Sequence, residues 1–128
     1  MIEFTLKEKA AIYNASCKII LADNKKDIDE LKLLLRVFKK LGTELFFPSI
    51  EDIATPNPNL PMEEVRTIIK SMSYAKKVFV TQFLAAIMGV DGNIEEVEML
   101  AFQSLVEDCN LPKNCVSEES FEYFYKNF

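Results

Sequence analysis

The chain has 128 residues, enough for one domain that buries about two-thirds of the surface its unfolded form would expose, so it needs neither a disulfide nor a metal ion to fold. Hydrophobic residues make up 49% and charged residues 27%, with only three glycines, the profile of a compact helical protein and not of a disordered or fibrous one. A net charge of −5 speaks against a general nucleic-acid surface, and the absence of histidine removes Ser-His and Cys-His nucleophile pairs and most zinc and haem sites.

From Thr5 to Leu21, Leu6, Ala10, Tyr13, Cys17, Ile20 and Leu21 fall on one helical stripe, widened by Ala11, Ala15 and Ile19. After the polar break DNKKD, Asp27 is placed to cap a second helix with Glu30 three residues later, a capping-box spacing. Leu31, Leu34, Leu35 and Phe38 form its apolar face and Gly42 ends it. The segment Thr43 to Pro61 holds four of the five prolines and reads as a long connection with at most one helical turn, around Ser49 to Ile53.

Pro61 suits the first turn of a third helix reaching about Met72, with Met62, Val65, Ile68, Ile69 and Met72 spaced for burial. Ser73 caps a fourth helix that runs to Val90 and is apolar enough to be buried in a bundle. Its most apolar run, Val78 to Val90, is too short to span a bilayer, which takes roughly 20 residues. Asn93 is placed to cap a fifth helix, Ile94 to Cys109, with Val97, Leu100, Ala101, Leu105 and Val106 expected inward. Ser117 caps a terminal helix whose Phe121, Phe124, Tyr125 and Phe128 make an aromatic stripe, read as a strap over the bundle.

The three cysteines lack any CxxC spacing and fit a reducing compartment, with Cys17 and Cys109 as small core residues. The N-terminus mixes charges into its apolar pattern, unlike a signal peptide, so the expected location is cytoplasmic.

Placing Asp23 over Asp91 without gaps brings two segments into register, each an apolar helix, a tight Asp-containing turn and a second amphipathic helix. Ile12 then meets Val80, Ile19 meets Ile87, Val37 meets Leu105 and Leu41 meets Cys109. The expectation is one all-α domain over 1–128, a compact bundle of six to seven helices containing a two-fold helix-hairpin repeat, with halves at about 5–42 and 73–112.

Acidic residues recur within the repeat at the same offsets: Asp23, Asp27 and Glu30 in the first copy, Asp91, Glu95 and Glu98 in the second. The spacing projects each triplet along one side of a helix N-terminus. Crowded carboxylates suit a hard divalent cation such as Ca²⁺, Mg²⁺ or Mn²⁺, while acidic residues at helix starts also cap free N–H groups and offset the dipole. Both readings are open at the level of sequence. An EF-hand is excluded: with Gly92 as the turn glycine and Glu98 as the last ligand, the first and third ligand positions fall on Ile87 and Gly89, which have no side-chain oxygen.

The stretch AAIMGVDGNIEEVEMLAFQSLVEDCNLP resembles the TerB-like family named for tellurite resistance, in which an apolar helix runs into A-D-G-x-I-x-x-x-E. Asp91, Gly92, Ile94 and Glu98 match, and Val90 replaces the small residue. Upstream, Asp23 and Glu30 match, while Asn24 stands for the glycine and Lys26 for the isoleucine. The resemblance, spanning about Ala11 to Pro112, implies an all-helical bundle with an internal repeat, an acidic surface holding a metal ion, and a non-enzymatic part in stress responses. The alternative is a helical adaptor with no metal site, contacting other proteins through the Pro-rich stretch Thr55 to Pro61 or the C-terminal aromatics.

Overall fold

A computed structural model describes residues 2–42 and 52–128. The first part of the Pro-rich connection, and most of the helical turn expected around Ser49 to Ile53, lie outside the described residues. Among those described there are six α-helices and no strand: α1 (Leu6–Ile20), α2 (Ile28–Lys40), α3 (Met62–Lys70), α4 (Tyr74–Gly89), α5 (Glu96–Asp108) and α6 (Glu118–Asn127).

Helix starts follow the capping chemistry closely. The Thr5 hydroxyl accepts from Glu8 N while Glu8 Oε1 accepts from Thr5 N, so two free donors are satisfied reciprocally. Asp27 Oδ1 accepts from the backbone N–H of Asp29 and Glu30, Ser73 caps α4 through Lys76 N, and Ser117 exchanges hydrogen bonds with Ser120. Gly42, with φ +83°, takes the left-handed position that ends α2.

α4 is the centre of the bundle. Val80, Thr81 and every residue from Phe83 to Met88 are buried, and the helix packs against α1, α2, α5 and α6. A helix apolar around its whole circumference is stable only when covered on all sides, which explains why its sequence carries so little amphipathic signal. α1 lies across it, burying Ala11, Ile12, Ala15, Cys17, Ile19 and Ile20 and carrying α3 on its other side. Leu6, expected on the buried stripe, is exposed. Of the aromatic stripe, Phe124 is core: it is fully buried, stacks on Phe83 at 5.9 Å between ring centroids and meets Phe79 edge-on at 5.3 Å, while Phe121, Tyr125 and Phe128 are partly buried against the core.

The Pro-rich loop is pinned from below. Asn14, buried on α1, donates through Nδ2 to the carbonyls of Asn57 (3.2 Å) and Leu60 (2.9 Å), and its Oδ1 accepts from Asn57 N (2.8 Å). All of the side chain's bonds go to backbone groups that would otherwise lack partners where the loop crosses α1.

α5 departs from expectation in register and in facing. It starts at Glu96 with Glu95 as N-cap, not at Ile94 with Asn93 as cap, because Asn93 is already engaged: its N–H donates to Asp91 Oδ1 (2.9 Å) and its Nδ2 to Glu95 Oε1 (3.1 Å). The inward row then runs through Glu98, Leu105 and Cys109, with Ala101 and Phe102 half-buried along it. Val97 and Leu100, expected inward, face solvent, as does Ile94 just before the helix. A carboxylate occupies the place on the inner face that an apolar residue would ordinarily take.

Candidate functional site

Each hairpin reverses through the same backbone device. In the first, Asp23 Oδ1 accepts from Lys25 N (3.0 Å), Asn24 N donates to Leu21 O (3.0 Å), and Asn24 sits at φ +61°. In the second, Asp91 Oδ1 accepts from Asn93 N (2.9 Å), Gly92 N donates to Gly89 O (3.0 Å), and Gly92 sits at φ +78°. Only glycine and, at a small cost, asparagine enter this left-handed region readily, so Asn24 does in the first turn what Gly92 does in the second. Asp23 and Asp91 are therefore occupied in building the turns.

One position further into the pattern, Asp27 and Glu95 serve as N-caps of α2 and α5. The six acidic residues thus do not form two rows along helix faces. Only the last of each triplet stands within a helix, at its third residue, and there Glu30 and Glu98 turn away from solvent.

Those two side chains meet. Glu30 and Glu98 are each 2% exposed, and their carboxyls lie in hydrogen-bonding range of one another between the starts of α2 and α5. Glu98 Oε1 also accepts weakly from Glu95 N (3.4 Å). Oε2 of Glu30 and Oε2 of Glu98 are both buried with no hydrogen-bond partner. Ionised carboxylates only accept, so two of them face to face have nothing to share unless a proton or a cation lies between. Burial, the Glu98 carboxyl, and the charges of Asp27 and Asp91 together push the Glu30 carboxyl up to about 10, so that it holds a proton at neutral pH.

The chemistry available is correspondingly narrow. Two inward carboxyls, with Asp27 and Asp91 close enough to act on Glu30 by charge, can hold either a proton or a hard cation through oxygen. Asp23 and Glu95 stay in their turn and cap roles. Among the described residues no three acidic or thiol side chains converge closely enough to enclose a metal ion, so a cation here would rest on the Glu30–Glu98 pair with further oxygens from water or from a shift of Asp27 or Asp91. The orphaned Oε2 atoms are the observation that fits a cation, since each is an uncommitted acceptor already stripped of solvent.

Tyr125 of α6 closes the second hairpin from the side. Its hydroxyl donates to Ala86 O (2.9 Å), and burial followed by the charge of Asp91 pushes that hydroxyl up to about 12. Gly89 makes the approach possible: a Cβ there would come within 3.1 Å of Tyr125 Oη and 3.3 Å of the Phe121 ring. The sequence carried a signal for the inward turn of Glu98 that periodicity of apolar residues hides: Glu98, Leu105 and Cys109 lie seven and eleven residues apart, on one helical row. Nothing in the sequence marked Asn14, and Tyr125 was legible only as one aromatic of the strap, not as a donor to Ala86 O.

No protein-family model matches the chain. No curated protein matches it. Among solved structures, the crystal structure of a protein of unknown function from Porphyromonas gingivalis W83 is similar in fold, with a TM-score of 0.75 over 98% of this chain and 93% of that one at 21% identity.

Proposed function

We propose that the chain is a diverged, non-enzymatic TerB-like module of the stress-response type, built from a duplicated helix hairpin and binding a divalent cation between Glu30 and Glu98. The observation that carries this reading is the pair of buried, partnerless Oε2 atoms, contributed one from each hairpin. Further support comes from the matched turns: two reversals 68 residues apart, Asp23 to Asp91, use the same Asx hydrogen bond and the same left-handed residue. Duplication accounts for that equivalence, and a two-fold related pair of carboxylates is its chemical product.

Glu30 and Glu98 are the first ligands, with Asp27 and Asp91 as flanking charge that draws a cation in. Ca²⁺, Mg²⁺ and Mn²⁺ all suit oxygen donors, and Mg²⁺ in particular is commonly held by one or two carboxylates and several waters. At 2% exposure the two carboxyls are closed to any substrate larger than an ion, which supports binding over catalysis.

Isothermal titration with each of the three cations, on the parent chain and on Glu30→Gln and Glu98→Gln, tests the reading. Binding heat with proton release in the parent, lost in both variants, supports it. No heat with any of them, or heat unchanged in the variants, overturns it.

A further inference from the structure

From Val78 to Pro112 the chain carries six acidic residues and not one lysine or arginine, while α2 alone carries four basic residues. The acidic stretch includes α5, and α5 is under-buried for its composition. Of its apolar residues only Leu105 and Val106 are buried, whereas Val97 is 45% and Leu100 58% exposed, and Ile94 just before the helix is 42% exposed. Val97 and Leu100 stand one turn apart on the outer side of the helix. Beside them Met99, Phe102 and Val106 line a cleft of about 440 Å³ between α5 and the segment at Pro112.

The charges around this face are mostly acidic. Asp91, Glu95 and Glu96 are exposed at its upper end, and Glu107 stands at the cleft. At the far end Arg66 is taken by Asp108 at 3.1 Å, leaving Lys113 as the cation lining the cleft. An apolar stripe with an acidic rim excludes several occupants. An anionic lipid surface is repelled. A second copy docked by two-fold symmetry sets one acidic rim against the other. What the charges complement is a helix with apolar residues along one side and Lys or Arg along its edges.

We infer that the outer face of α5, from Ile94 to Phe102, is a docking surface for a basic amphipathic helix of a partner protein, seated by Val97 and Leu100 and oriented by Glu95 and Glu96. This is helix-on-helix recognition in which apolar anchors supply most of the affinity and the acidic rim supplies orientation and rate. It stands apart from cation binding, because Val97, Leu100 and Glu96 take no part in the Glu30–Glu98 pair and Glu95 meets it only through its backbone N–H.

The test uses the full chain, labelled with ¹⁵N, and a synthetic amphipathic helix of roughly 18 leucine and lysine residues, about five turns, beside a leucine–glutamate peptide of the same pattern. The Leu/Lys peptide is expected to shift amide signals within residues 91–106 and to bind the Val97→Ser/Leu100→Ser variant about tenfold more weakly, with the variant's melting temperature unchanged. A Glu95→Lys/Glu96→Lys variant is expected to weaken binding and flatten its salt dependence. The inference is overturned if the Leu/Glu peptide binds equally well, if the shifts centre elsewhere, if the serine variant binds like the parent, if the chain prefers anionic vesicles to the peptide, or if sedimentation shows that this face pairs two copies.

Discussion

Glu30 of α2 and Glu98 of α5 bring their carboxyls together in the interior, each leaving one oxygen without a partner. Desolvating two like charges at contact costs several kcal/mol unless a proton or counter-ion is taken up with them, so this contact links the fold to solution conditions.

The first consequence is a dependence on pH. The Glu30 carboxyl titrates at about 10 in the folded chain against an ordinary 4.5, so the folded state binds this proton more tightly than the unfolded state. Stability from this group is greatest below about 4.5 and falls as pH rises from there toward about 10, by up to about 1.4 kcal/mol per pH unit. With a chelator present, the melting temperature is expected to decline steadily from pH 6 to pH 9. In Glu30→Gln the same series is expected to be nearly flat, and the variant to melt above the parent at pH 8. An equally steep decline in the variant would place the titration elsewhere.

Under the proposed cation binding, cation and proton would compete for the same oxygens. At pH 8, adding Ca²⁺, Mg²⁺ or Mn²⁺ in large excess is expected to raise the parent's melting temperature and leave Glu98→Gln where it was; at 100 times the dissociation constant the stabilisation is about 2.7 kcal/mol. Scanning fluorimetry with an external dye reads both, since the chain has no tryptophan.

The two turns give a reciprocal pair of substitutions. Asn24, at φ +61°, occupies a conformation that glycine adopts without steric cost, and Gly92, at φ +78°, occupies one that alanine does not. Asn24→Gly is expected to change stability by a few tenths of a kcal/mol in either direction, and Gly92→Ala to destabilise by about 1 kcal/mol. Urea denaturation measures both. Equal effects of the two would mean that the turns are not held alike.

Much of this architecture is legible in the residues. Thr5, Ser73 and Ser117 start helices through side-chain chemistry that is local in sequence, and Gly42 ends one for the same reason. Asn24 is readable as a glycine substitute because left-handed backbone is a property of the residue itself. What failed was facing. Val97 and Leu100 were placed inward because apolar residues usually are, yet the row that settles the rotation of α5 is the one containing Glu98, and a buried carboxylate makes sense only with Glu30 opposite it. The Asn14 anchor failed to show for a related reason: its partners at Asn57 and Leu60 are more than forty residues away, and no local pattern records them.

Asn14 is accordingly a sensitive position. Replacing it by alanine removes two donors and an acceptor at once and leaves Asn57 N, Asn57 O and Leu60 O to find water beneath the loop. The expected loss is about 2–3 kcal/mol, larger than for an ordinary surface asparagine. Hydrogen exchange at Asn57 and neighbouring amides should accelerate well beyond the change in global stability. Loss of global stability with no local acceleration would show that the loop is held by its apolar contacts.

The last test concerns how α6 seats against the second hairpin. Glycine to alanine normally gains up to about 1 kcal/mol in a helix interior and less at an end, so Gly89→Ala, at the last residue of α4, looks mildly favourable from the helix alone. Packing reverses the sign. The new methyl would stand 3.1 Å from Tyr125 Oη and 3.3 Å from Phe121, and Tyr125 cannot withdraw without giving up its 2.9 Å bond to Ala86 O. Crowding of this kind costs about 1–3 kcal/mol, so a net loss is expected. Tyr125→Phe removes the oxygen that the methyl meets first, and part of the penalty should vanish in the double variant, giving a coupling of at least about 0.5 kcal/mol in a double-mutant cycle. Additive effects would mean that Phe121, not Tyr125, sets the distance between α4 and α6.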